Sequence, residues 1–278
     1  MSADTQPSGT EVADLSGGDE EYRIAADDET ERREYERLRA LGRFRDPTTI
    51  EALAATGIGP GWRCLEVGAG AGTISAWMAE QVGPEGSVLS TDVDLRFHGE
   101  PVGNTEILRH DITTDPLPDG ELDLVHARAV LQHVAERELA LERMIGALKP
   151  GGWLVVEDGD MRAFEAQPLP EPFGSLHLLI LQAGAQQAFR DPNFGARLLR
   201  LVQDHGLVDV EARGIVETMR GGEASGEWWF LAIEHVRDRI VDAGVVSAGD
   251  FDAALAIARA PGFAMLGPTS IQVSGRKP

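Results

Sequence analysis

Leu65-Glu66-Val67-Gly68-Ala69-Gly70-Ala71-Gly72-Thr73 is the stretch that decides the fold. A short apolar run, Cys64 to Val67, reads as a strand. Three alternating glycines follow it, and Thr73 to Val82 has the character of a helix. A strand that turns through Gly-x-Gly-x-Gly into a helix brings backbone close to whatever binds at the carboxyl end of a sheet. The nicotinamide fingerprint needs a small residue at position 73, where this chain has Thr. Glu66, just ahead of the first glycine, repels a diphosphate and suits a ligand that carries an ammonium group.

The alternation continues outward. Ser87 to Thr91, Thr105 to Arg109, Leu122 to Ala127 and Trp153 to Glu157 read as further strands. Helical sequence precedes Leu148, and Lys149-Pro150-Gly151-Gly152 reads as a turn. Strands joined by crossovers predict an α/β fold, a Rossmann-like, mostly parallel sheet with helices on both faces. Four segments are expected: an acidic tail over 1–20 too polar to order, a helical lid over 21–57, the core over 58–160, and cap helices with the end of the core over 161–278. Within the lid, Asp28 to Phe44 predicts one helix. Pro47, with Thr48 and Glu51 as a capping box, predicts the start of a second that Gly57 closes. In the last segment an apolar helix is expected from Gly174 to Phe189, with helices over Trp228 to Ala243 and Asp250 to Ala260 and strands over Val208 to Glu217 and Ser270 to Ser274.

Composition narrows the function. Net charge is −21 over 278 residues, which argues against a nucleic-acid partner gripped through its phosphates. Residues 1–30 hold nine acids against Arg23 alone, yet the remainder is still acidic at −13. The single cysteine, Cys64, excludes an internal disulfide and a cysteine-based zinc site, and no metal is expected. No apolar stretch approaches the roughly 20 residues that span a bilayer, so a cytoplasmic protein without a membrane partner is expected.

Two more acids fall at telling intervals. Asp92 ends the second strand, where a carboxylate can accept both hydroxyls of a ribose. Asp111-Ile112 follows the third, pairing an acceptor for an exocyclic amine with an aliphatic face for a purine ring. With Glu66-Val67-Gly68-Ala69-Gly70-Ala71-Gly72, Ser90-Thr91-Asp92, His110-Asp111-Ile112, Asp123-Leu124-Val125-His126-Ala127-Arg128 and Leu148-Lys149-Pro150-Gly151-Gly152, the chain over Arg63 to Glu157 resembles a class I S-adenosylmethionine-dependent methyltransferase, of the small-molecule type similar to the quinone-methylating enzymes. The resemblance implies S-adenosyl-L-methionine as cofactor and S-adenosyl-L-homocysteine as product. It places Glu66, Gly68, Ala69, Gly70 and Gly72 at the methionine end, Asp92 and Val93 at the ribose, Asp111 and Ile112 at the adenine, and Ala127 and Arg128 along the cleft. One departure stands out: only 18 residues separate Asp92 from Asp111, so the usual intervening helix is lost or reduced.

The acceptor is less legible. His133, in Gln132-His133-Val134, lies where similar small-molecule enzymes carry an active-site histidine, and His126 ends the fourth strand; both are candidate bases. Glu157, Asp158 and Asp160 follow the fifth strand at the same edge, Asp158 being a candidate substrate contact. Tyr22, Tyr35, Phe44, Phe173, His177, Trp228 and Trp229 lie outside the core motifs and suggest a small apolar or aromatic acceptor, although plain packing explains the two tryptophans equally well. O-methylation is favoured over C- or N-methylation in a small-molecule, secondary-metabolic enzyme, with a homodimer possible. A cyclase that keeps the cofactor without methylating, or a protein that senses it, are the alternative readings.

Overall fold

The computed structural model describes residues 28–187 and 191–278. Tyr22 and the predicted tail over 1–20 lie outside the described residues. In chain order the strands are β1 (Arg63–Val67), β2 (Ser87–Asp92), β3 (Thr105–Arg109), β4 (Leu122–Arg128), β5 (Leu148–Asp160), β6 (Val208–Ile215), β7 (Thr218–Arg220), β8 (Ala264–Leu266) and β9 (Thr269–Arg276). The helices are α1 (Asp28–Ala55), α2 (Thr73–Val82), α3 (Arg137–Ala147), α4 (Arg162–Ala166), α5 (Phe173–Gln187), α6 (Gly195–Asp204), α7 (Ala224–His235), α8 (Arg237–Asp242) and α9 (Ala248–Arg259).

Seven strands form one sheet in the order β3-β2-β1-β4-β5-β9-β6. The first five are parallel, and β9 runs antiparallel to both of its neighbours. The strand order reverses between β1 and β4, so the crevice at their carboxyl ends is where an open sheet binds ligands. β1 and β4 are buried along nearly their whole length because both faces are covered. Leu65, Val67, Val125, Leu154 and Val156 face one way, into a core shared with Leu141 and Met144 of α3 and Leu198 of α6. Cys64, Leu124 and Val155 face the other way, against Ile74 and Met78 of α2 and Leu53 of α1.

By the period-2 rule, Glu66 and His126 lie on that second face, and so does Glu157. Three ionisable groups thus sit in the row where Cys64, Leu124 and Val155 are apolar. The sheet supplies the site from within its own core.

The structure corrects the reading of the N-terminal region. Asp28 to Ala55 is one helix, with Pro47 inside it and no capping box. Instead the hydroxyls of Thr48 and Thr49 both donate to the carbonyl of Arg45. Tertiary packing holds the helix through the proline. Ala52 and Leu53 are anchored on the sheet, whereas Ala40 and Phe44 are anchored in a third core formed by the cap. Gly57 still ends the run, at φ +83°.

Other boundaries also move. The Lys149–Gly152 turn is the beginning of β5, bent at Gly151 (φ +81°). Helix α3 starts only at Arg137. The helix expected over 228–243 is two helices that meet at Val236. The short helix α4 and the β7–β8 ribbon were not foreseen in the sequence. Between β2 and β3 there is a single 3-10 turn, Leu95–Phe97, where a full helix is absent.

Pro47 is exposed and removes one amide donor from the interior of α1. Pro47→Ala restores that donor at the cost of a more flexible unfolded chain. It is expected to raise stability by about 1–2 kcal/mol, read from the midpoint of urea denaturation.

Candidate active site

Gly68, Gly70 and Gly72 have φ of +68°, +55° and +74°, a region where side chains are strained. Two of the three are also hemmed in. A Cβ on Gly68 would stand 2.3 Å from Val130 Cγ2, and one on Gly72 would stand 2.5 Å from His98 Cε1. Gly70 differs: a Cβ there would meet only Leu38 of α1, at 3.8 Å. The middle of the loop is therefore its least crowded part.

The carboxylates stand along this edge in strand order. Asp92 Oδ2 accepts the Gly70 amide (2.8 Å) and Oδ1 the Asp94 amide (3.0 Å). Burial raises its pKa, against the pull of these amides. Val93, beside it, is exposed. Asp111 Oδ1 accepts the Thr113 hydroxyl (2.7 Å) and amide (2.8 Å), and the hydroxyl bond leads in lowering its pKa. Ile112 is buried next to it.

Glu66 is 4% exposed and its Oε2 accepts the Ser75 hydroxyl. Its Oε1 lies 3.6 Å from His126 Nδ1, and His126 Nε2 lies 3.5 Å from Glu157 Oε1. Desolvation works against the imidazolium, but the two carboxylates outweigh it, so the pKa of His126 is raised. Desolvation likewise works against the Glu157 carboxylate and is outweighed by His126, so that pKa is lowered. This corrects the reading of His126 as a base. It has no exposed surface, and an imidazolium held between two carboxylates has no lone pair to offer.

Helix α1 crosses this edge with one stripe of residues. Glu31 pairs with Arg96 (2.8 Å), Leu38 approaches Gly70, and Gly42 approaches Thr73. Asp46 and the Thr49 hydroxyl both receive the Arg128 guanidinium, at 2.9 and 2.8 Å. Tyr35 belongs to the same stripe by helical spacing and is half exposed, its hydroxyl accepting from Arg39 (3.0 Å). The Arg128 side chain is thereby held against α1, on the same face of the sheet as His126. Ala127 is not: its side chain faces the core on the opposite side of the sheet.

The cap aromatics lie behind α1. Phe44, Phe173, Trp228 and Trp229 share one core, and the buried His177 ring packs among them. Phe44 stacks on Trp228 at 6.1 Å, and His177 meets Phe164 at 4.7 Å and Trp229 at 5.6 Å, edge to face. His177 Nε2 donates to the Phe164 carbonyl (2.9 Å), and desolvation lowers its pKa, so it is neutral. Ala40 and Phe44 are on the side of α1 opposite Leu38 and Gly42. The structure brings these rings together as core of the cap, with α1 between them and the glycine loop.

His133 is half-buried in the turn after β4. Gln132 Oε1 accepts the Gly159 amide, so its amide nitrogen is the donor to His133 Nε2 (3.2 Å). Ala129, at the start of this turn, has φ +55°, a strained value for a residue with a side chain. Asp158 closes the turn from β5, its Oδ1 accepting the Gln132 amide at 3.2 Å. Burial pushes Asp158 up to about 8, so it is protonated at neutral pH.

Residues 65–156 match the model of the methyltransferase domain family. That stretch is a methyltransferase domain, and the chain is similar there to S-adenosylmethionine-dependent methyltransferases of class I. It is 32% identical over 177 residues to the methyltransferase str3 of Strobilurus tenacellus, covering 61% of each chain. It is 33% identical over 113 residues to the ubiquinone/menaquinone biosynthesis C-methyltransferase UbiE of Ectopseudomonas mendocina, covering 37% of this chain and 44% of that one. The chain thus spans less than two thirds of the length of these curated relatives. A putative methyltransferase from Bacillus halodurans shares the fold at a TM-score of 0.54 and 15% identity, over 82% of this chain and 98% of that one.

Sequence reasoning missed Ser75, Ser90, His98, Asp46 and Thr49. Ser90 left a signal. It alternates with Val88 on the inward face of a buried strand, where a small polar side chain needs a partner.

The raised pKa of Asp158 predicts a pH dependence of stability. The folded state keeps a proton that the unfolded chain releases above about pH 4, so this site costs stability increasingly as pH rises toward 8. Asp158→Asn is expected to raise the melting temperature by several degrees at pH 8.5. At pH 4 it should change little, as differential scanning calorimetry at the two values would show.

Proposed function

We propose that this chain binds S-adenosyl-L-methionine along the carboxyl edge of β1, β2 and β3 and transfers its methyl group to the hydroxyl of a small apolar or aromatic metabolite, as a cytoplasmic enzyme. The observation that carries this reading is the order of Glu66, Asp92 and Asp111-Ile112 around a glycine loop whose centre is open. The residues fit the cofactor by their chemistry. Glu66 suits an ammonium, Asp92 is braced by Gly70 and Asp94 to accept ribose hydroxyls, and Asp111 with Ile112 suits an amino-purine. The bound cofactor supplies an electrophilic methyl group for in-line displacement.

What the protein adds is position and the exclusion of water. Leu38 of α1 and Val130 of the turn after β4 flank the loop, Tyr35 shares the helix stripe of Leu38, and His133 stands in the Val130 turn. We assign His133 as the base that takes the hydroxyl proton of the acceptor, on the Nε2 lone pair that the Gln132 amide occupies until the acceptor displaces it, since its competitor His126 is buried between carboxylates. The protonated Asp158 and Gln132 support the His133 turn from below. The aromatic cap lies behind α1, so an apolar acceptor is favoured only by Tyr35, Leu38 and Val130 on the near side.

The test is incubation of the protein and a metabolite extract with methyl-labelled cofactor, followed by mass spectrometry. A labelled product together with S-adenosylhomocysteine is expected. A substrate that isomerises while the label stays on the cofactor would instead establish a cyclase, and no turnover of any metabolite would favour a sensor. With an acceptor in hand, His133→Ala is expected to lower kcat about 10²–10⁴-fold and to leave cofactor affinity unchanged. A change confined to KM would reduce His133 to a positioning role. Asp92→Ala is expected to weaken cofactor binding by about 1–3 kcal/mol in titration calorimetry, and unchanged affinity would remove it from the site.

A further inference from the structure

Glu66 is the first member of a continuous hydrogen-bonded line. Its Oε2 contacts Ser75 Oγ. Ser75 Oγ lies 2.6 Å from Ser90 Oγ, Ser90 Oγ lies 2.7 Å from His98 Nε2, and His98 Nδ1 lies 2.6 Å from the Gly99 carbonyl. The members come from β1, α2, β2 and the segment that replaces the helix between β2 and β3. His98 is held there by packing on Gly72.

Counting hydrogens decides the charge of this line. Each of the four contacts needs one bridging hydrogen. Two serines supply one each and a neutral imidazole supplies one, since a carboxylate supplies none. The line is one proton short unless Glu66 is protonated or His98 is an imidazolium. Glu66 Oε2 accepts from Ser75, and its other oxygen faces His126 Nδ1 at 3.6 Å, so the residue stands at the accepting end of the line. The fourth proton then belongs on His98. Every bond points one way: His98 donates to Ser90, Ser90 to Ser75, and Ser75 to Glu66.

We propose that His98 is a positioning residue of the cofactor site, an imidazolium that acts through Ser90 and Ser75 to keep Glu66 an oriented carboxylate for the ammonium end of the ligand. The functional half of this statement rests on the proposed cofactor reading; the protonation half does not. Other charged groups around the line are accounted for. Asp92, Asp94 and Arg96 share the segment with His98, Glu31 of α1 is paired with Arg96, and Glu157 lies beyond His126 on the far side of Glu66.

The experiment is ¹⁵N NMR of the full-length protein with labelled histidine, without cofactor, at pH 7.5, with the His98 signals assigned through His98→Gln. Wild type is expected to show both ring nitrogens of His98 protonated. Glu66→Gln gives the sharper comparison. A glutamine amide donates to Ser75 and reverses every bond in the line, so His98 Nε2 is expected to lose its proton although the substitution is three contacts away. In Ser90→Ala the line is cut, and adding Glu66→Gln should no longer change the His98 signals. A neutral His98 in wild type, or a His98 indifferent to Glu66→Gln while Ser90 is present, overturns the proposal.

Calorimetry supplies the functional arm. Ser90→Ala and His98→Gln are each expected to weaken S-adenosylmethionine binding about tenfold, with the double variant no worse than either, because the two act through one path. Near-ultraviolet circular dichroism checks that each variant is folded. Full additivity in the double variant would overturn the path. Unchanged affinity in Glu66→Gln would instead overturn the cofactor reading and leave the line of protons standing on its NMR evidence.

Discussion

The ion row Glu66–His126–Glu157 is the constraint on which the rest of the structure depends. It places two carboxylates and an imidazole in the interior of a sheet, with His126 fully buried and the others nearly so. Separations of 3.5 and 3.6 Å make these ion pairs and not hydrogen bonds. Removing such charges from water costs several kcal/mol each, which mutual attraction offsets only while every member is present. The row therefore fixes its own protonation. Because the pKa of His126 is raised, its contribution is complete below the unfolded-state value and fades as pH rises through the raised one. Because that of Glu157 is lowered, its contribution is complete above the unfolded-state value and fades as pH falls through the lowered one. Neutral pH is the window in which both hold.

Covering that row explains α1. Arg128 on β4 and Gln272 on β9 flank Glu157 in register. From α1, Asp46 and Thr49 take the Arg128 guanidinium, and the Thr48 carbonyl accepts the Gln272 amide (3.3 Å). Arg45 adds a buried cation bonded to Glu217 and to the Pro268 carbonyl. A helix broken at Pro47 would separate Arg45 and Asp46 from Thr48 and Thr49, which act on one polar surface. Packing at both ends and this polar seam between them outweigh the local preference for a break.

That contrast marks what the sequence made legible. The glycine loop, the five parallel strands and the acids at their ends follow from local signals: period-2 runs, left-handed glycines, and a carboxylate that closes a strand. Such features are set within about ten residues of chain. What stayed hidden depends on partners distant in sequence. Pro47 reads as a helix start because nothing local reveals that Phe44 will meet Trp228 and Leu53 will meet the sheet. His126 reads as a base because a histidine at a strand end resembles one, and only the register of β1 and β4 sets it beside Glu66. His98 went unread because only the fold sets its ring against Gly72 and lines Ser90 up with Ser75 and Glu66.

The two halves of α1 are held by different physics. Beyond Asp46, toward its carboxyl end, the helix buries Thr49, Ala52 and Leu53 on the sheet, where apolar area and shielded polar bonds both contribute. Toward its amino end the contacts with the cofactor half of the molecule thin out. Leu38 stands far enough from Gly70 to leave room for a Cβ there, and the Glu31–Arg96 pair is about one third exposed on both sides, where an ion pair contributes roughly 0–1 kcal/mol. Phe44 and Ala40 hold this half to the cap and not to the sheet. Over the open centre of the glycine loop, then, α1 is fastened weakly to the sheet and firmly to the cap. The contacts of α1 nearest Gly70 are thus its weakest, whereas the buried ion row beneath keeps its cover.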